Sequence, residues 1–483
     1  MKTLCKTYLK RWALIMFIFG LCTVGCKKLV DVNAPVTSVS NASVYNSDAT
    51  AIAVLTGIYS QLSGANYTTY ALPTLSLYAG LSADEFTLWN GVTNISQKAY
   101  YTNSLSVSTS TGSDYWSSIF PYIFTCNAAI EGLNSSSGLT PAVKQHLLGE
   151  SYFMRAFFYF YLVNLYGDVP MPLSTNYQAN ESLPRTAKSS VYQQIIADLK
   201  AAQGLLNVNF VDATLLNTTT ERTRPNQWAA TALLARVYLY TGDYTDAVTQ
   251  SSLLISNNAP FILSLVPALG NVFLKNSNEA IWQLQPVSTS GSSNTYDALE
   301  FIIPSTGPTG SYPVALSSIL LNSFETNDNR KSTWTGSVTV IGTTYYYPYK
   351  YKANTPTAAV IEYLMMLRLG EQYLIRAEAK ANLGDATAIN DLNNIRSRAG
   401  LPNYAGATDK ASLLTAILHE RQVEMFTELG QRWLDLKRTG TVDAVMGVVT
   451  PQKGGTWNTY QQYYPILLSD IQKDPNLSQN SGY

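Results

Sequence analysis

Glu420, Glu424 and Glu428 stand four residues apart, so on a helix they share one face, an arrangement from which acid–base chemistry could be built. Arg421, Arg432, Asp435 and Arg438 follow in the same stretch. Guanidinium groups mixed with carboxylates in this way read as an ion-pair network that pins a terminal helix to its neighbours. Asp84-Glu85 is the conspicuous acidic pair in a loop region, where adjacent acids more often face solvent or cap a turn than cleave a bond. His146 and His419, the only histidines, have no partner at triad or metal-ligand spacing, and the chain has no His-Glu-x-x-His, Cys-x-x-Cys or Gly-x-Ser-x-Gly. No catalytic residue, metal or cofactor is expected. Opposed carboxylates need no proximity in sequence, so glycoside hydrolysis stays open as an alternative.

Cys26 carries a different chemistry. It follows an apolar run, Ala13 to Leu21, that is preceded by Lys2, Lys6, Lys10 and Arg11. The run is shorter than the roughly 18 to 20 residues of a spanning helix, and Gly25 sits immediately before a thiol that can take a lipid. Residues 1–25 are therefore expected to be a lipoprotein signal peptide, residues 26–36 a lipidated stalk, and Cys26 the point of attachment to a membrane. A short membrane anchor or an ordinary cleaved signal is the plainer alternative.

Four cysteines are present, and once Cys5 and Cys22 leave with the signal and Cys26 is lipidated, only Cys126 remains. The body must then be held by burial instead of disulfides. Removing residues 1–25 takes four basic residues and no acid, leaving 28 basic against 32 acidic, a net charge of −4. This is no nucleic-acid footprint. Charged residues make up 13% of the chain and aromatics 12%, with 33 tyrosines, so the surface is polar mainly through Asn, Ser, Thr and Tyr and suits neutral, hydroxyl-rich ligands.

The elements that must position these residues are mostly helical. Ile52, Leu55, Ile58, Tyr59 and Leu62 predict a helix over Asp48–Leu62, and a second covers Tyr115–Leu133. Thr140-Pro141 opens a third, with threonine as cap and proline in the first turn, that runs to about Tyr166 before Gly167. Its aromatic run is too apolar for a surface helix. Ala235, Gly242-Asp243 and Ala247 repeat the spacing of Ala377, Gly384-Asp385 and Ala388, the pattern of two helix hairpins of tetratricopeptide type whose distant sequences must meet in one scaffold. Asp409–Leu429 is expected to be helical and the tail extended. Residues 260–352 read as a loop-rich lobe with minor β structure: Pro286–Pro313 is a long Ser/Gly/Pro-rich loop, and Ser337–Tyr351 alternates as strands do. Trp282 is expected in a buried strand. Trp89 lies in a polar stretch, Leu81–Gly112.

Several ordered motifs resemble the SusD/RagB family of outer-membrane lipoproteins. They are Arg155-Ala156-Phe157 through Tyr166-Gly167-Asp168-Val169-Pro170; Pro225–Ala247; Leu367–Gly400 with Arg376-Ala377-Glu378-Ala379; Glu420-Arg421 through Arg438; and Asn476-Leu477 with Gln479-Asn480 before Gly482-Tyr483. The resemblance spans nearly the whole chain. It implies a mostly α, SusD-like fold of four tetratricopeptide-like helix pairs, one unit over residues 37–483 with an N-terminal region 37–259 and a C-terminal region 260–483. It also implies an outer-membrane, surface-facing lipoprotein that captures a nutrient, most simply a glycan, and hands it to a SusC-like TonB-dependent transporter. A peptide-capturing lid is the rival within the family. Sugar rings present apolar C–H faces ringed by hydroxyls, so a site needs aromatic planes edged by amides. The resemblance points to the region of Trp89 and Asn90, and the long loop adds Tyr296, Phe301 and Tyr312 as candidates.

Overall fold

The computed structural model describes residues 44–63, 73–108, 114–256, 268–287, 294–355 and 359–483; the expected signal, stalk and Cys26 lie outside them. Residues 45–483 form one compact unit. No helix among the described residues is long and apolar enough to cross a membrane.

The helices that build the scaffold are α1 (Asp48–Ser63), α2 (Pro73–Ser82), α3 (Asp114–Ser135), α4 (Pro141–Tyr166), α5 (Lys188–Leu205), α6 (Gln227–Thr241), α7 (Tyr244–Ile255), α8 (Leu369–Asn382), α9 (Ala388–Arg398), α10 (Lys410–Met425) and α11 (Gln431–Arg438). Four hairpins, α3–α4, α6–α7, α8–α9 and α10–α11, stack with α5 lying between α4 and α6, and α7 packs directly on α8. The two repeats seen in the sequence are thus adjacent in space. Both turn at a glycine with positive φ, +78° at Gly242 and +75° at Gly384, a conformation that costs other residues about 1 kcal/mol or more. In each, the N–H of the following aspartate closes the helix at 2.9 Å, Asp243 onto Tyr238 and Asp385 onto Lys380. Ala377, Ala381 and Ala388 are wholly buried with Leu392, Leu413 and Ile417, so small side chains let α8, α9 and α10 approach closely. Arg236 of α6 spans to Glu371 of α8 through two bonds of 2.7 and 2.6 Å.

Helix α4 is the central element, buried from Phe153 through Tyr166. Phe153 and Phe157 meet Trp282 edge-on at 5.1 and 5.6 Å, Tyr122 stacks on Phe158 at 5.1 Å, and Phe160 meets Tyr240 at 5.0 Å. Pro141 occupies the first turn as expected, but the Thr140 hydroxyl makes no capping bond. Its backbone N–H instead donates to Asp48 Oδ1 at 2.9 Å and ties α4 to α1.

Three antiparallel strand pairs decorate the helices: β1 (Phe86–Leu88) with β3 (Val314–Leu316), β2 (Ala280–Leu284) with β6 (Leu364–Arg368), and β4 (Thr335–Val340) with β5 (Thr343–Pro348). Trp282 is fully buried in β2. The β4–β5 hairpin turns on Ile341 and Gly342, both at positive φ as a two-residue turn requires. The Pro286–Pro313 stretch is not loop throughout. Tyr296–Phe301 forms a helical turn capped by Thr295 Oγ1, which accepts from Ala298 N–H at 3.3 Å. The helix expected to reach Leu429 ends at Met425, because Thr427 and Leu429 take φ of +56° and +48°. Their N–H groups donate to Glu85 Oε1 at 2.9 Å and Ser76 Oγ at 3.0 Å, bonds that a continued helix would forfeit. The tail is not wholly extended: it carries the helices Val442–Gln452 and Leu468–Lys473, and Asn480 Nδ2 anchors its end on the carbonyls of Tyr166 and Tyr464 at 3.0 and 2.9 Å.

Candidate functional site

The carboxylates singled out by spacing are architectural. Glu424 accepts from Arg368 at 2.6 Å, from Arg330 at 3.0 Å and from Arg398, while Glu428 is held by Arg368 at 2.8 Å and by Lys350 at 2.6 Å. Glu420 pairs with Arg330 at 2.6 Å. Burial pushes Glu424 up, yet Arg398, Arg368 and Arg330 together hold it well below the usual carboxylate range. Asp435 pairs with the arginines near it as expected, but the three glutamates do not, because those arginines turn elsewhere. Arg421 takes Asp435 at 2.7 Å, Arg438 takes Asp435 and Glu378, at 2.8 and 2.5 Å, and Arg432 crosses to Asp84 at 2.8 and 2.7 Å. Asp84 and Glu85 are therefore neither exposed nor opposed across a cleft; both are about 1% exposed. Burial lifts Glu85 to about 7, against the pull of the Thr427 N–H it accepts from. His146 is buried beside Glu150 at 3.2 Å, and His419 Nε2 meets the Ser323 carbonyl at 2.8 Å.

Two of the aromatic candidates adjoin paired strands. Trp89 N–H donates to Pro313 O at 2.8 Å and so extends the β1–β3 ladder one residue past the Leu88–Val314 pair, which brings Trp89 beside the strand that leads from Tyr312. Tyr312 closes a tight turn with Thr309, each N–H donating to the other's carbonyl, at 3.1 and 3.2 Å. Both side chains are half-buried and Asn90 is exposed. The Trp89 indole lies against Gly91, where any side chain would collide with the ring. The absence of a side chain at residue 91 thus leaves the space in which the indole lies on the backbone. The loop is fastened from beneath: Lys453 Nζ donates to the carbonyls of Ala83 and, at 2.7 Å, Leu81, and burial lowers its amine to about 7.

The other two candidates are corrected. Tyr296 is 7% exposed and Phe301 2%, because their helical turn packs inward, Phe301 against Phe86 at 5.3 Å. They do not present a ring to solvent. The sequence reading passed over the β5 tyrosines. Strand β5 packs beside β3, Val340 of the same hairpin closes on Gly307, and Tyr346 is 40% exposed. Its position one residue out of phase with Tyr345 and Tyr347 was the available signal, since alternate strand residues face opposite ways.

The same helical turn buries Asp297, 4% exposed, whose carboxyl is pushed up to about 8 by burial and by Glu428, with Lys350 opposing. An unfolded aspartate titrates near 3.9, so the folded chain keeps a proton that the unfolded chain loses, and stability from this residue falls as pH rises from about 4 to about 8. Asp297→Asn, which stays neutral, should melt above the parent at pH 8 and lose that advantage near pH 4. Parallel melting curves across this interval would show that Asp297 is ionised in the fold.

Comparison with known proteins agrees with this architecture. The family described as starch-binding and associating with the outer membrane matches residues 34–239, and the SusD family matches residues 322–483. SusD-like protein P2 of Formosa agariphila is 26% identical across 98% of this chain and 100% of its own length. Among solved structures, a SusD superfamily protein from Bacteroides vulgatus superposes with a TM-score of 0.75 at 21% identity, covering 90% of this chain and 99% of the other. A laminarin-binding SusD-like protein does so with a TM-score of 0.74 at 22% identity, covering 90% and 99%. With the motifs of both halves matched and the helical stack shared, the chain belongs to the SusD/RagB family.

Proposed function

We propose that the protein captures an oligo- or polysaccharide at the outer membrane and delivers it, uncleaved, to a SusC-like TonB-dependent transporter. The observation that carries this reading is the Trp89 ring laid on Gly91 at the end of the β1–β3 ladder, with Tyr312 on the adjoining strand and the Asn90 amide exposed beside it. An aromatic plane edged by an amide and free of net charge matches the C–H faces and hydroxyls of a neutral sugar. Capture without cleavage is supported by the acids: Asp84 and Glu85, nearest in sequence to Trp89, are occupied by Arg432 and the Thr427 N–H. The starch-binding description of the matched family and the laminarin-binding neighbour favour a glycan over a peptide.

Trp89→Ala should weaken retardation of the protein in gels containing laminarin or starch by about tenfold, since losing an aromatic contact forfeits its buried area as well as the stacking. The melting temperature should move by no more than about 2 °C, as expected for a partly exposed residue. No release of reducing ends should accompany binding. Unchanged retardation, or a large fall in melting temperature, would place Trp89 in the core and remove the site.

A further inference from the structure

Two open grooves share a wall. One, of about 680 Å³, runs along residues 324–329 and β4–β5; the other, of about 790 Å³, lies between the Pro402–Ala405 turn and α10; Glu325 borders both. Neither Trp89, Asn90 nor Tyr312 lines them. The shared wall is rigid, because the Glu325 carboxylate is gripped by Arg396 at 2.5 and 3.0 Å and Arg396 Nε donates to Pro402 O at 3.1 Å.

Each groove holds one tyrosine. Tyr346 stands 40% exposed in the first. Tyr404 lines the second, and its ring lies against Gly406 much as Trp89 lies against Gly91. Its orientation is set by a hydroxyl bond to Ala407 O at 3.2 Å and a backbone N–H bond to Asn393 Oδ1 at 2.8 Å. The carboxylates bordering the grooves are paired within the protein, Glu325 with Arg396 and Asp328 with Arg330 at 2.8 Å, and Lys331 Nζ is directed onto the Leu321 carbonyl at 3.0 Å. What faces a ligand is the exposed Tyr346 ring and the accessible part of Tyr404, which is half-buried against the α8–α10 core, with exposed groups such as Thr326 and Asn327. Such a lining offers little to an ion or an apolar chain and suits an uncharged, polyhydroxylated one.

We propose that the two grooves form a second glycan subsite, with a linear neutral oligosaccharide crossing the Glu325–Arg396 wall and stacking on Tyr346 and Tyr404. The proposal rests on the glycan-capture reading but uses none of its residues. In gels containing laminarin or starch, the full-length lipoprotein with Tyr346→Ala and Tyr404→Ala should lose about three- to tenfold in retardation. Combining these with Trp89→Ala should remove the retardation that Trp89→Ala leaves. Tyr346→Phe with Tyr404→Phe keeps both rings and should retain most binding, which separates stacking from misfolding. Wild-type retardation in the double alanine variant, or complete loss of retardation by Trp89→Ala alone, would overturn the subsite and leave the Trp89 site standing. Loss of transporter co-purification with glycan binding intact would assign the grooves to the transporter and overturn it likewise. A wild-type chain retarded by neither probe would remove the glycan reading, and this subsite with it.

Discussion

Replacing Glu424 by alanine should cost about 3–5 kcal/mol, the penalty for breaking a buried ion network by removing one member. Glu424 is wholly buried and lies where Arg330, Arg368 and Arg398 converge. Without it, three guanidinium groups face each other with only the outer acids, Glu279, Asp328, Glu420 and Glu428, to balance them. Glu424→Gln keeps the shape and some acceptor capacity and should fall between. The urea midpoint at pH 7 reads the effect, and Lys473→Ala, which touches only a 3.9 Å exposed pair with Asp470, is the control, expected within about 0.5 kcal/mol. A Glu424→Ala shift no larger than the control's would show that the network is dispensable. Because the Glu424 carboxyl is held below its unfolded value, its contribution is present above about pH 4.3 and is lost as pH falls through the lower folded value. The gap between parent and variant should therefore persist through mild acid.

Cys26→Ala should convert a membrane-bound protein into a soluble one, or leave an unprocessed precursor. No helix among the described residues is long and apolar enough to cross a membrane, and the tether expected from the sequence is a lipid on Cys26. Each buried methylene is worth about 0.8 kcal/mol, and a single chain binds only marginally, so stable attachment needs several chains on one residue. Fractionation into membrane and soluble pools, together with the mass of the mature N-terminal peptide, reads the outcome. A variant that stays membrane-bound, or a parent whose N-terminus lies elsewhere than Cys26, would refute the assignment.

Local rules were legible where local forces decide. Helix α4 was bounded correctly by Pro141 and Gly167, and the two glycine-aspartate turns announced hairpins, because caps and positive φ are imposed within a few residues. Partner choice was legible only in part. Asp435 does pair with Arg421 and Arg438, as its place in the stretch implied, but the glutamates do not take the arginines beside them: Glu424 draws on Arg330, Arg368 and Arg398, brought near by tertiary packing. The same limit governs the aromatic candidates. Trp89 and Tyr312 were named separately, and nothing between residues 89 and 312 states that β1 and β3 pair. Tyr296 and Phe301 have the composition of a platform but sit on a helical turn that faces the core. The stop at Met425 was hidden because the residues that reward it, Ser76 and Glu85, lie some 340 to 350 positions earlier.

The packing of α7 on α8 has a consequence for biogenesis. Residues 244–255 and 369–382 form one contact, so the face of α7 stays bare until more than 110 further residues have been made and exported. Loop closure on that scale must precede the burial that rewards it, and the exposed surface meanwhile invites association with other chains. A chain truncated before residue 369 leaves this face bare and is expected to be cleared by proteolysis faster than the full chain.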